Sequence, residues 1–216
     1  MYEKPKLDKF AQLLETEHLL GNRIFAIGKA LAARLAPALD PQIPSTRFRT
    51  LKAEEIPPEV MRAGAYFVHL LNHFADPVHM HAEEAAAEYA IGCGLPREAA
   101  EWVFAQHEQA RAYWNAITIA WRRMVGKDDG DRYYAAMDFR RSTEAFVFLF
   151  EAHATRENND FYEAASRVVD ANTDTLILSM LQQAAEPDFL QPYIGMVTRA
   201  EDLLGVVPPP GSPIVR

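Results

Sequence analysis

Three features of the sequence predict an all-α fold. Apolar residues recur at helical spacing along almost the whole chain, and Val, Ile and Thr-rich runs with strict alternation are missing. Four of the helical stretches are long, with short turns at two of their three joints. The first helix starts after Lys6, with Asp8 in its first turn, and stops before Pro37. At ~1.5 Å per residue it is a rod of roughly 40 Å. A connection over 38–58 follows, carrying Pro41, Pro44, Pro57 and Pro58 with Arg47, Arg49 and Lys52. Its length, unusual for a compact bundle, suggests a lid or a strapped surface loop. The second helix begins near Pro58, runs past Ala90 and ends at the Gly92-Cys93-Gly94 breaker, with a kink expected at Pro77. The third runs from about Pro96, which suits a first helical turn, to Gly126. Residues 127–131 read as a turn, and the fourth helix covers about 132–169. Two shorter helices are expected over 173–185 and 188–204, and the tail 206–216, with Pro208, Pro209, Pro210 and Pro213, is not helical. The whole reads as an up-and-down four-helix bundle over 1–169, with a C-terminal helical extension and proline-rich tail over 170–216.

Composition narrows the function classes. The 216 residues are 49% hydrophobic and 24% charged, enough for a real core without staples. A net charge of -8 and no Lys/Arg run argue against nucleic acid and anionic membranes as partners. Cys93 is the single cysteine, so no internal disulfide is possible, and the reducing cytoplasm is the expected compartment. No apolar stretch approaches the ~18–20 residues that span a bilayer. The apolar segment 146–150, for instance, stops at Glu151.

The chemistry is sought among seven histidines: His18, His69, His73, His79, His81, His107 and His153. Two of them have a carboxylate four residues on, His79 with Glu83 and His153 with Glu157. On a helix, that spacing puts both side chains on one face a turn apart, which makes a two-donor metal clip. His18 on the first helix and His107 on the third add one imidazole each. A lone helical histidine, or one His/Glu pair, is usually an ordinary surface or core feature. The conjunction differs: a histidine on each of helices one and three, with His-x3-Glu on two and four, is what a dinuclear site inside a bundle requires.

With these residues in place the sequence resembles the hemerythrin-like proteins of the His-His-Glu type, over about residues 10–168. The resemblance rests on LLETEH ending at His18, FADPVHMHAEE with His79 and Glu83, AQHEQAR with His107, and EAHATRENNDFY with His153 and Glu157. It implies a four-helix bundle with a non-haem di-iron centre. One iron would take His18 and His79 and the other His107 and His153, with Glu83, Glu157 and an oxo or hydroxo group as bridges. Manganese or zinc could occupy the same donors. The pattern departs from the oxygen-carrying hemerythrins: Val103 stands where they have a second third-helix histidine, and Glu157 lies four residues after His153 where they have an Asp at five. Met80 follows His79 where the family often has adjacent histidines. Two histidines per iron leave a position for a small ligand, so the resemblance implies binding or sensing of oxygen, nitric oxide, peroxide, or iron and redox state. Alternatives are a di-iron oxidase or peroxidase, an iron–sulfur-repair-type stress protein lacking the cysteine-bearing extra segment, and a metal-binding interaction module. A protein partner or a homo-oligomer is compatible with each.

Rival sites fit less well. A ferritin-like centre needs two Glu-x-x-His elements, and only Glu15 with His18 matches. His69 with His73 lacks the glutamate of a zinc-hydrolase motif, since position 70 is Leu. Around the ligands, Asp76 is expected to accept the second ring N–H of His79, with Glu17 and Arg111 in similar roles beside His18 and His107. His81 and Glu84 are expected at the surface, and His69 and His73 partly buried.

Overall fold

The structure, a computed structural model, describes residues 9–39, 50–180 and 189–212. Asp8, Pro41, Pro44, Arg47, Arg49 and Pro213, with residues 181–185 and 188 of the two shorter helices, lie outside the described residues. All regular structure among the described residues is helical, with no strand.

Helix α1 (Lys9–Leu35) buries Phe10, Leu14, Leu20, Ile24, Ile27 and Leu31, the apolar positions of its 3.6-residue repeat. Its 27 residues reproduce the expected rod. The described part of the following connection is strapped down. The Leu51 N–H donates to the Asp129 carbonyl at 3.1 Å, and Arg132 donates to the Leu51 carbonyl at 3.0 Å.

The second long stretch is not a simple kinked helix. Helix α2 (Pro58–Leu70) passes into a ten-residue π-helical segment, Leu71–Met80, and then into α3 (His81–Gly92). Pro77 lies inside the π segment and has no N–H to donate back to His73. The ladder accommodates this by widening. Gly64 on α2 meets the Trp121 ring, which would lie 2.4 Å from a β-carbon there, so the residue without a side chain lets α2 approach the helix that carries Trp121 closely.

Helix α4 (Arg97–Met124) is the expected third helix. The expected 127–131 turn is shorter, because α5 (Asp129–Arg156) begins inside it. Asp128 is the N-cap, its side chain accepting from Gly130 N at 2.9 Å and Asp131 N at 3.2 Å. An Asp-rich segment thus suits a helix start as well as a turn. The α5 rod continues through a second π segment, Glu157–Phe161, into α6 (Tyr162–Ser166). Helix α7 (Ala171–Met180) packs on α1 and α3. Helix α8 (Gln191–Leu204) packs on α2 and α1 and ends at Gly205, whose φ of 62° is the left-handed conformation a glycine adopts without strain.

The apolar residues divide into two clusters. One joins Leu20, Ile24 and Leu31 to Phe67, Ile117, Phe139, Phe146 and the α8 residues Ile194 and Val197. The other joins Phe10 and Leu14 to Ala86, Val103, Phe161, Tyr162 and Ile177. Along each long rod the change from one cluster to the other falls close to the predicted metal ligands. No helix among the described residues is long and apolar enough to cross a membrane.

Candidate metal centre

The structure brings His18, His79, Glu83, His107, His153 and Glu157 into one buried layer between the two apolar clusters. Their donor atoms form two groups that share Glu83: His18, His79 and Glu83, and Glu83, His107, His153 and Glu157, with atoms within 4.8 Å of one another in each. Both i, i+4 pairs close as the spacing requires, although each adjoins a π segment.

All four imidazoles turn Nε2 inward. Glu83 spans the layer: Oε1 is 3.0 Å from His18 Nε2 and 3.4 Å from His79 Nε2, while Oε2 is 3.2 Å from His107 Nε2 and 3.7 Å from His153 Nε2. Glu157 Oε2 lies 3.2 Å from His18 Nε2 and 3.1 Å from His153 Nε2. His107 and His153 bring their Nε2 atoms to 3.0 Å of each other. Aromatic rings wall the layer, with Phe74 stacked on His79, Phe150 on His107 and the Trp102 edge on His153.

Each outward Nδ1 donates to an acceptor, and the four acceptors form a closed relay around the rods. Glu17, beside His18, accepts from His79 at 2.9 Å. Glu84, beside Glu83, accepts from His107 at 3.1 Å. Gln106, beside His107, accepts from His153 at 2.9 Å, and Asn158, beside Glu157, accepts from His18 at 3.2 Å. A proton fixed on Nδ1 leaves the Nε2 lone pair pointing inward, as a metal-ligating imidazole requires.

This geometry corrects several expectations. The acceptor behind His79 is Glu17, whereas Asp76 pairs with Arg111 at 2.7 Å and gives its backbone carbonyl to His81. The expected place for Glu17, beside His18, is taken by Asn158. Arg111 reaches His107 only through Glu84, which it binds at 2.8 Å. Glu84 is therefore not a free surface residue, because the rod is rotated enough for it to reach across to α4. His69 and His73 are exposed, with ring centroids 4.2 Å apart, and stay outside the layer. Three residues were missed altogether: Gln106 and Asn158 behind His153 and His18, and Tyr162, fully buried, which donates its hydroxyl to Glu83 Oε1 at 2.7 Å. The available signal was a polar residue immediately next to four of the six predicted ligands, Glu17 beside His18, Glu84 beside Glu83, Gln106 beside His107 and Asn158 beside Glu157. Tyr162 had no such mark.

The electrostatics call for positive charge in the layer. Glu83 Oε2, both oxygens of Glu157 and His18 Nε2 are buried without a hydrogen-bond partner, and such groups are costly unless a cation or proton compensates them. Burial by itself pushes the His18 ring down, but the adjoining Glu157 and Glu83 carboxylates overcome it and raise the pKa to about 10. His153 is likewise raised to about 9, its burial outweighed by Glu157 and Glu83. Burial pushes the Glu83 carboxyl up, yet the surrounding histidines, His79 foremost, hold it well below the usual carboxylate range. Burial and the neighbouring carboxylates push the Tyr162 phenol well up, so it stays a donor. Four imidazoles, two inward carboxylates and four fixed tautomers therefore fit a pair of divalent cations.

Comparisons with protein-family models, with curated proteins and with solved structures gave no match.

Proposed function

We propose that this chain is a hemerythrin-like non-haem di-iron protein that binds or senses a small ligand such as oxygen, nitric oxide or peroxide. In this reading the four long rods are an up-and-down bundle whose interior holds the metals. His18 and His79 would hold one iron, His107 and His153 the other, and Glu83 and Glu157 would bridge them. The observation that carries the reading is the arrangement of the four histidines, each with Nε2 turned to the shared carboxylates and Nδ1 tied to an outer acceptor. When bound, the irons would supply redox-active Lewis-acid centres with coordination positions left open, since the two groups offer three and four donors of the six iron favours. The residues of the chain hold and orient those centres. The acceptor relay fixes the rings, the Tyr162 hydroxyl pins Glu83, and Phe74, Trp102 and Phe150 shield the layer from water.

The test is metal analysis of protein expressed with iron supplied, with a visible spectrum before and after dithionite and again in air. About two irons per chain are expected, with an absorption band that bleaches on reduction and returns with oxygen. Absence of iron, persisting after anaerobic ferrous reconstitution, would overturn the iron reading. Stoichiometric zinc or manganese in its place would keep the centre and remove the redox function.

A further inference from the structure

The acceptors behind the four imidazoles are two carboxylates and two amides, and what differs between the two halves of the centre is the surroundings of the carboxylate. Each half has one ring backed by a carboxylate and one backed by an amide: Glu17 and Asn158 behind His79 and His18, and Glu84 and Gln106 behind His107 and His153. The two carboxylates sit in different surroundings. Glu17 is fully buried, its Oε1 has no hydrogen-bond partner, and among the described residues His79 is the one basic group within ion-pair distance of it. Glu84 is 22% exposed at its side chain and is paired with Arg111, which also binds Asp76. A charge held in the dry interior acts several-fold more strongly on its neighbours than one screened by water and a guanidinium.

We propose that the two metal positions are unequal, that the His18/His79 position takes a divalent cation first and holds it more tightly, and that Glu17 is the positioning residue that sets this order. The inference rests on the metal-centre reading above. Glu17 acts through the Nδ1–H of His79: a carboxylate acceptor makes the ring a stronger donor at Nε2 and adds an uncompensated negative charge to that half. Arg111 removes most of the corresponding advantage from Glu84. Two features oppose the trend: Glu157 groups with the donors of the other half, although its Oε2 lies about as near His18 Nε2 (3.2 Å) as His153 Nε2 (3.1 Å), and the Tyr162 hydroxyl draws charge from Glu83 Oε1 on the same half. A neutral donor on a bridge that both halves share offsets less than a buried carboxylate adds.

The experiment is calorimetric titration of Co2+ alone into the metal-free full chain. Two distinguishable steps are expected. Glu17→Gln keeps an acceptor oxygen for His79 and removes the charge, and should weaken the first step about 10–100-fold while leaving the second in place. Glu84→Gln should shift the second step by less than that, and His79→Ala should abolish the tight step and retain the weak one. Near-ultraviolet circular dichroism of Glu17→Gln matching that of the natural chain establishes that the variant is folded. Two indistinguishable steps in the natural chain, or a folded Glu17→Gln that leaves the first step unchanged, would overturn the inequality while leaving the metal centre intact. No uptake of Co2+ by the natural chain would overturn the metal-centre reading itself, and the order with it.

Discussion

Each histidine of the buried layer has an outward contact at Nδ1 and an inward one at Nε2, and the inward side governs its response to pH. In the metal-free protein the carboxylates Glu83 and Glu157 draw protons onto the rings. His18 titrates at about 10 and His153 at about 9, against an ordinary 6.5. A raised histidine pKa contributes stability that is complete below 6.5 and is lost as pH rises through the folded-state values. Glu83, depressed from 4.5, contributes stability that is present above 4.5 and lost as pH falls through its lowered pKa. These groups together make the metal-free protein most stable between pH 4.5 and 6.5 and less stable towards pH 10. A cation on Nε2 replaces the protons, so the metal-loaded protein should hold its stability through that alkaline range. Thermal melts of both forms from pH 4 to 10 check this, and a metal-free melting temperature that is flat or rising above 6.5 would contradict it. At this scale the two His/Glu pairs of the buried cluster were legible in the sequence because i, i+4 spacing is a local property of a helix. The acceptors were not, because Glu17, Glu84, Gln106 and Asn158 each serve a histidine on a different rod, and that reach depends on helix rotation.

The elements show the same division between local and tertiary causes. The apolar repeats of α1 and α4 and the glycine breaker after α3 were readable with boundaries close to those observed. The π segments Leu71–Met80 and Glu157–Phe161 were not, since Pro77 signals only that an α-type bond is lost and leaves open how the chain responds. A contact from 120 residues away falls on the same turn, where the Tyr193 hydroxyl of α8 donates to the His73 carbonyl at 3.1 Å. That is the carbonyl an α-helical residue 77 would have bonded. Tyr193→Phe should therefore cost about 0.5–1.5 kcal/mol, the usual net worth of one such bond. In a Pro77→Ala background an N–H becomes available at position 77, and the same substitution should cost less. Chemical denaturation of the two single variants and the double variant gives the coupling. Equal losses in both backgrounds would mean that the hydroxyl does not stand in for the missing N–H.

Across the whole molecule, the polar layer is tolerated because apolar clusters close it from both ends, and α8 completes one of them. Leu190, Ile194, Val197, Ala200 and Leu204 join the cluster formed by α1, α2, α4 and α5, so the C-terminal helix packs on the rods that carry the site. The sequence left open whether its apolar face meets the other helices or a second chain, because amphipathicity shows that a face is buried but not against what. Charge fixes its register. Arg23 of α1, 2% exposed, donates to Glu201 of α8 from Nε at 2.9 Å and Nη2 at 2.5 Å, and to Thr198 at 2.9 Å. Two desolvated ions gain less from their mutual attraction than their separation suggests, but removing one leaves the other buried without its counter-charge. Glu201→Ala should therefore destabilise the protein by about 3–5 kcal/mol. The double replacement Arg23→Met with Glu201→Leu should recover most of that loss, because an apolar pair of similar volume needs no counter-charge. Denaturant midpoints of the three proteins decide the matter. If Glu201→Ala proves nearly neutral, the ion pair does not hold α8 in place. If the double variant is as unstable as the single one, packing volume at this contact, and not charge, sets the position of the last helix.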